Sequence, residues 1–280
     1  MAPSQGGFTL VETLIALVLS SFVIILVSHV FLVQNRFYST QIVRTGVQDN
    51  VRVATELMAR EIRTTMEDGV VVAGPRTLRV RSPIVIGVVC NRLGAPLADL
   101  MTEGGQAAID TLEVAGVAVR NDSTWEYAND TWSNLNGNDL SSAANCADSG
   151  ADTTGASGQF HRLRRLNLLF SPSPSEGDVL MLFRETTFKI QQSELDPSTF
   201  GLFRGRYGST LVEFATGMDS TAQFQYRTGG SSYSDTIGAG SVGTIDAVRI
   251  VADARKAPPT GGVDDITFGW SVNVPLRNVR

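Results

Sequence analysis

One apolar run near the N-terminus constrains this chain more than any other feature. Residues 8–33 are almost entirely hydrophobic, and no glycine or proline interrupts them. As a helix, this run of about 26 residues would be roughly 39 Å long, which exceeds the ~30 Å hydrocarbon core of a bilayer. The sequence therefore predicts a continuous helix that is long enough to cross a membrane.

The junction that precedes the run is also informative. Residues 6–12 are Gly-Gly-Phe-Thr-Leu-Val-Glu, so two glycines come directly before the run and Glu12 places one carboxylate inside it. A secretory signal peptide has a basic n-region, a shorter apolar core and a small-residue cleavage site after that core. Residues 1–7 contain no lysine or arginine, and the glycines precede the run. A secretory signal peptide is therefore disfavoured, and a plain uncleaved anchor is the other alternative.

This junction closely resembles the class III signal of type IV prepilins and of type II secretion pseudopilins. In that family a membrane peptidase cuts between the last glycine and the phenylalanine and N-methylates the new terminus, and the helix becomes the core of a filament. The resemblance implies a leader at residues 1–7, cleavage between Gly7 and Phe8, and a transmembrane and polymerisation helix at residues 8–33. Because the leader lacks basic residues, the orientation is implied by the resemblance and not by flanking charges.

Glu12 is the candidate assembly residue. A carboxylate about one turn inside lipid is costly unless it is paired. After cleavage, the amine of Phe8 would lie one helical turn away. The resemblance implies that this pair forms between subunits and sets their axial register. The alternative is an interfacial carboxylate whose side chain reaches water.

The helix is predicted to continue as an amphipathic segment over residues 34–68. Apolar residues recur there at spacings of three and four and form one stripe. The stripe consists of Val47, Val51, Ala54, Met58, Ile62 and Met66. Glu56 and Arg60 are spaced for an i,i+4 ion pair, Gly46 is a candidate bend, and Gly69 is a candidate stop. We expect the stripe to pack on the protein's own head.

After Asp68 the hydrophobic pattern changes to the period of two that is typical of strands. The predicted strands are residues 77–81, 84–90, 112–119, 179–190, 200–207, 210–214, 223–227, 245–251 and 266–274. Residues 133–159 and 228–243 are polar and are predicted as long loops. The chain is therefore predicted to be an α+β protein, in which one long helix packs on a mainly antiparallel head at residues 69–280. This is a pilin-like arrangement.

The two cysteines, Cys90 and Cys146, both follow the membrane run. Both would face an oxidising compartment if the head lies outside the cell membrane. A disulfide between them would close a loop of ~55 residues and would stabilise the fold by about 4 kcal/mol in the chain-entropy model. The alternative is two unpaired thiols, one of them buried at a strand end.

Composition and motifs disfavour several other functions. The net charge of −5 disfavours nucleic acid as the main ligand. Residues 238–243 match G-x-G-x-x-G, the pattern of a dinucleotide-binding loop. That loop needs a strand before it and a helix after it, but here a polar stretch precedes and a predicted strand follows. A flexible hairpin loop is therefore favoured over a dinucleotide-binding site. Only His29 and His161 could supply an imidazole, and neither H-E-x-x-H nor C-x-x-C occurs. No catalytic centre, cofactor or metal is therefore predicted.

Two polar clusters leave alternatives open. Residues 162–165 are Arg-Leu-Arg-Arg, which could contact phosphates or a partner, although a solvated strand face is favoured. Residues 129–139 are rich in Asn and Asp. Their spacing does not fit an EF-hand loop, so turn chemistry is favoured there over calcium binding.

Later segments of the chain resemble particular subgroups of this family. Residues 56–63, 211–214, 224–227 and 245–250 look like segments of the PilW-type minor pilins and of the J-type minor pseudopilin. Since major pilins are usually shorter, the resemblance implies a non-enzymatic minor subunit in the tip or priming complex of a type IV pilus or a type II secretion pseudopilus. Its implied partners are the prepilin peptidase, other pilins or pseudopilins, and the bacterial inner membrane, which it would cross once with its head outside.

Two other functions are weighed against this one. A bitopic envelope sensor or binding protein would keep its anchor and never polymerise, and processing at Gly7 separates it from a pilin. An anchored hydrolase would need catalytic residues that the sequence does not display.

Overall fold

The computed structural model describes residues 9–66, 68–92, 98–102, 114–121, 124–129, 159–163, 174–256 and 266–276. Among these residues, one long helix, α1 (Leu10–Arg63), precedes fourteen strands and a short 3₁₀ helix, η1 (Ala239–Thr244). The strands are β1 (Val70–Ala73), β2 (Thr77–Arg92), β3 (Ala98–Thr102), β4 (Gly116–Asn121), β5 (Thr124–Asn129), β6 (Gln159–Leu163), β7 (Val179–Gln192), β8 (Phe200–Arg206), β9 (Val212–Met218), β10 (Gln223–Arg227), β11 (Ala247–Val251), β12 (Ala254–Lys256), β13 (Ile266–Phe268) and β14 (Ser271–Pro275).

Helix α1 is unbroken over 54 residues. It passes through Gly46 without interruption, and the bend suggested at that glycine stays a prediction. It ends at Arg63, where the Thr64 amide donates to the carbonyl oxygen of Glu61 at 3.2 Å. Gly69 is therefore not the stop that the sequence suggested. Asp68, which adopts the left-handed backbone conformation with φ 57°, redirects the chain toward β1.

The larger sheet is built around β7. Within the described residues, eleven strands form this sheet, and its main path is β13-β12-β9-β8-β7-β2-β3-β6. One edge of β7 pairs with β2. Its other edge pairs first with β4 and then, nearer its C-terminal end, with β8. The pairings recorded for the described strands are antiparallel, which confirms the predicted α+β architecture.

A smaller sheet closes the core on a second side. It has the order β10-β11-β14 and is antiparallel. Two hydrogen bonds connect it to the turn between β1 and β2: the Phe224 amide donates to the Pro75 carbonyl at 2.8 Å, and the Tyr226 hydroxyl donates to the Gly74 carbonyl at 2.8 Å. Burial raises the pKa of Tyr226, so its hydroxyl stays neutral and remains a donor.

The apolar stripe of α1 packs between the two sheets, as expected. Val51 and Ile62 are fully buried, and Met58 is 1% exposed. Their core includes residues of both sheets, among them Phe188 of β7 and Val248 of β11. On the side of the smaller sheet, the indole nitrogen of Trp270 donates to Thr55 Oγ1 at 3.1 Å. Met66, the last stripe residue, is partly buried against a separate cluster that contains Phe183.

Most predicted strands exist, but several boundaries differ. The segments 77–81 and 84–90 form the single strand β2, which has a register shift between Pro83 and Val85. The segment 266–274 forms two strands, β13 and β14, that are separated at Gly269 and Trp270. The predicted strand 112–119 begins only at Gly116. Sequence patterns missed β1, β3, β5 and β12, and they indicated β6 only through the strand face favoured for residues 162–165.

Several sequence-based expectations concern residues outside the described ranges. Gly7, Phe8 and Cys146 lie outside the described residues, and Cys90 is placed only by its backbone in β2. The Asn- and Asp-rich segment after Asn129 also lies outside them. The leader, the cleavage site, the disulfide and the calcium alternative therefore stay predictions.

Candidate assembly segment

The N-terminus of α1 is closed by a capping box between Thr9 and Glu12. The Thr9 amide and hydroxyl both donate to Glu12 Oε2, at 3.1 Å each. In return, the Glu12 amide donates to Thr9 Oγ1 at 3.3 Å. Amides of the first turn have no partner within the helix, so this reciprocal arrangement satisfies two of them. Sequence reasoning assigned Glu12 an assembly role and missed the cap, although Thr-x-x-Glu is the pattern that marks one.

The membrane half of α1 has no cover from the rest of the described chain. Residues 10–38 are exposed, and they include large side chains such as Leu10, Leu17 and Phe31 at 66–79% exposure. In the part of the chain that the structure describes, α1 is the one helix that is long and apolar enough to cross a membrane. An apolar surface of this size is not stable in water, so it requires lipid or other protein around it.

The surface of α1 changes character where the helix reaches the head. Val47 is the first buried residue of the helix. Its side chain approaches Gly217, where an added Cβ would lie 3.8 Å from Val47 Cγ1. From Val47 to Ile62 one side of the helix belongs to the core. The helix therefore has two parts: one is part of a folded head, and the other projects from it.

Glu61 fastens the last turn of α1 to the larger sheet. Its carboxylate accepts from Arg204 Nε at 2.9 Å, from Arg204 Nη2 at 3.0 Å and from Thr186 Oγ1 at 2.7 Å. Arg184 adds an ion pair at 3.5 Å. Burial by itself raises the pKa of Glu61, but these hydrogen bonds and positive charges outweigh it, so the pKa lies below its ordinary value of 4.5. Glu61 is therefore ionised in the folded protein at neutral pH.

The ion pairs of Glu61 and Glu56 were not predicted from the sequence. Helical period alone cannot show that β8 places Arg204 beside Glu61. Glu56 was expected to pair with Arg60, but Arg52 donates to it from Nε at 3.1 Å. That pair is exposed on both sides, so its contribution to stability is small.

The remaining candidate motifs do not join this segment. Residues 238–243 belong to the connection between β10 and β11, and most of them form η1. The connection therefore contains a short 3₁₀ turn, and it joins two strands that pair antiparallel as a hairpin. The backbone of residues 159–163 forms β6, which pairs with β3; Arg164 and Arg165 lie outside the described residues. Within the described ranges, no group of three or more His, Cys, Asp or Glu residues could hold a metal ion.

Comparison with known families gives one match. The family described as the prokaryotic N-terminal methylation motif matches residues 3–28. The chain carries a class III prepilin-type signal. The match covers residues 3–7, the capping box at Thr9 and Glu12, and most of the exposed apolar half of α1. It points to a pilin-like structural subunit rather than an enzyme, and together with the apolar helix it fits a membrane-anchored protein.

The comparisons with curated proteins and with solved structures gave no match. The class III signal is thus the feature that relates this chain to known proteins. It implies processing by a prepilin peptidase and assembly with other pilins.

Proposed function

We propose that this protein is a non-enzymatic minor subunit of a type IV pilus or a type II secretion pseudopilus, acting in its tip or priming complex. The observation that carries the proposal is the N-terminal methylation motif on a helix whose apolar half is uncovered. Lipid can cover that half before assembly, and helices of other subunits can cover it afterwards. A membrane anchor alone explains the lipid-facing half but not the methylation motif.

The proposed topology takes the membrane crossing from the same helix and the orientation from the resemblance to prepilins. The subunit would cross the bacterial inner membrane once, with residues 8–33 in the bilayer and the head at residues 69–280 outside the cytoplasm. The amphipathic part at residues 34–68 would connect them, and the burial of Val51, Met58 and Ile62 supports its place in the head. Release of residues 1–7 would give a mature chain that begins at Phe8.

Processing at Phe8 is the decisive test. The intact mass of protein extracted from membranes should equal that of residues 8–280 with one added methyl group. The same protein from cells without a prepilin peptidase should retain residues 1–7 and should lack the methyl group. A species that keeps the leader when the peptidase is active would refute the pilin assignment and would favour a bitopic sensor or binding protein.

A further inference from the structure

A row of three polar residues crosses the outer face of the smaller sheet. Arg249 of β11 lies directly opposite Gln225 of β10 and directly opposite Asn273 of β14. Along their strands these residues alternate with buried ones such as Phe224 and Val248, so their side chains lie on the face of the sheet away from the core. We call Gln225, Arg249 and Asn273 the outer row.

Two uncharged groups fix the orientation of the Arg249 guanidinium. Its Nε donates to Asn273 Oδ1 at 2.8 Å. Its Cζ lies 3.8 Å from the centroid of the Tyr233 ring. In the part of the chain that the structure describes, the Nη atoms of Arg249 donate to no other group. The guanidinium is therefore held in place while its positive charge stays uncompensated, because an amide oxygen and an aromatic ring carry no net charge.

A second arginine beside the same ring has the opposite arrangement. Arg227 lies 5.8 Å from the centroid of Tyr233, and its Nε donates to Asp246 Oδ1 at 2.9 Å. The charge of Arg227 is thus compensated within the chain. Arg249 has an amide where Arg227 has a carboxylate, so Arg249 is the arginine of this pair that can bind an external anion.

We propose that the outer row binds a carboxylate side chain of a different pilin-class subunit, with Arg249 as the cation that pairs with it. The proposal rests on the proposed function, since an assembly supplies the neighbouring subunit. With Nε bonded to Asn273, the two Nη atoms of Arg249 can donate in parallel to both oxygens of a carboxylate. The amide nitrogens of Gln225 and Asn273 are further donors on either side of it.

The shape and charge of the outer face favour this occupant over others. Small molecules bind in concave sites, whereas the outer row lies on one face of a three-stranded sheet. A nucleic acid presents a series of phosphates and needs several cations, but Arg249 is the one uncompensated cation that the described strands β10, β11 and β14 place on this face. If two copies of this chain paired through the face symmetrically, Arg249 would oppose Arg249, and like charges disfavour such a contact.

Crosslinking in cells tests the proposal. The photo-reactive residue p-benzoylphenylalanine replaces Ser271, which is exposed and lies on the same face of β14 as Asn273. The full chain is expressed with the host's own pilin-class proteins, and adducts are identified by mass spectrometry. The expected adduct joins position 271 to an Asp- or Glu-containing segment of another protein that carries the methylation motif. Arg249→Gln should reduce it by at least about tenfold, the equivalent of ~1.4 kcal/mol of binding.

A charge exchange then tests whether the contact is direct. Arg249→Glu alone should abolish the adduct, because it places like charges opposite each other. Arg249→Glu combined with an arginine in place of the partner's carboxylate residue should restore it. Restoration also shows that the substituted head is folded, so loss of the adduct in the single variant reports the lost pair.

The matched control is Arg52→Gln, which removes the same charge from an exposed position on α1. It should leave the adduct unchanged. The intact mass of the mature chain is measured in all samples. Normal processing would overturn the proposed carboxylate site alone if there is no adduct, if the adduct is only to lipid, nucleic acid or a second copy, if it survives Arg249→Gln, or if the charge exchange fails to restore it. Absence of processing in the unsubstituted protein would overturn the proposed function as well.

Discussion

Glu12 has hydrogen-bond donors within its own chain as well as a predicted partner in another. The Thr9 amide and hydroxyl contact its carboxylate in the subunit, whereas the assembly hypothesis pairs it with the Phe8 amine of a neighbour. A capping box accepts glutamine as well as glutamate at this position. The cap therefore needs only an acceptor oxygen, but the intersubunit pair needs the negative charge. The two roles can be separated by substitution.

We expect Glu12→Gln and Glu12→Ala to be inserted, cleaved and stable, and both to fail to enter the filament or tip complex. In a low-dielectric assembly, loss of one partner leaves the other charge buried and unpaired. Co-purification with other pilins measures incorporation. If the glutamine variant is incorporated at the level of unsubstituted protein and only the alanine variant fails, Glu12 acts as a cap and not as a charge.

Glu61 gives the head a predictable dependence on pH. Its pKa is lower in the folded protein than in the unfolded chain, so the folded state is stabilised at neutral pH. That contribution is complete above about pH 4.5 and is lost as the pH falls through the lower pKa of the folded state. Glu61→Gln should destabilise the protein by about 1 kcal/mol at pH 7, because charged hydrogen bonds contribute more than this but the arginines are partly exposed.

Urea unfolding of the two proteins at several pH values measures this contribution. The difference between unsubstituted protein and Glu61→Gln should shrink as the pH falls below 4.5. A difference that stays constant down to pH ~3 would show that Glu61 is not ionised in the fold. Glu56→Gln provides the exposed control, since its pair with Arg52 is solvated and should contribute little at any pH.

At the scale of elements, the packed stripe of α1 is expected to dominate the stability of the head. Met58 is 1% exposed, and Leu57, beside it on the same helix, is 55% exposed. Met58→Ala should destabilise by about 2–5 kcal/mol, because it removes buried atoms and leaves a cavity. Leu57→Ala should change stability by less than ~0.5 kcal/mol. Chemical unfolding in detergent measures both, and equal effects would contradict the packing described.

Elements were predictable where a periodic pattern extended over several residues. The stripe from Val47 to Ile62 was visible in the sequence because four turns repeat it, and β10 was predicted with its observed bounds, Gln223–Arg227. The missed strands β1 and β12 contain four and three residues, too few to show a period. Strand order was also not readable, because β7 pairs with β2 and β4, which are distant in sequence, as well as with the next strand, β8.

Whether the contacts of a site residue could be predicted depended on how far along the sequence its partner lies. The Glu12 signal and its cap lie within a few residues, so a local motif contains both. Glu61 meets Arg204 across a separation of 143 residues, and only the packing of α1 on β7 and β8 brings them together.

At the scale of the whole molecule, the head should fold without the membrane half of α1. The buried stripe begins at Val47 and packs on both sheets, whereas residues 10–38 have no cover from the described head. Removal of residues 1–33 therefore takes away apolar surface but no described core contact. The fragment 34–280 should be soluble and should unfold cooperatively. Cooperative urea unfolding, followed by near-ultraviolet circular dichroism, measures this.

The matched control is the same fragment carrying Met58→Ala. It should unfold at a lower urea concentration with a similar slope, since the slope follows the surface exposed on unfolding. This comparison distinguishes a stripe whose side chains are packed in the core of the head from a stripe that only lies against its surface. If the fragment lacks a cooperative transition, or if Met58→Ala leaves its midpoint unchanged, then the stripe does not belong to the protein's own core. The amphipathic half of α1 would in that case require a partner to cover it.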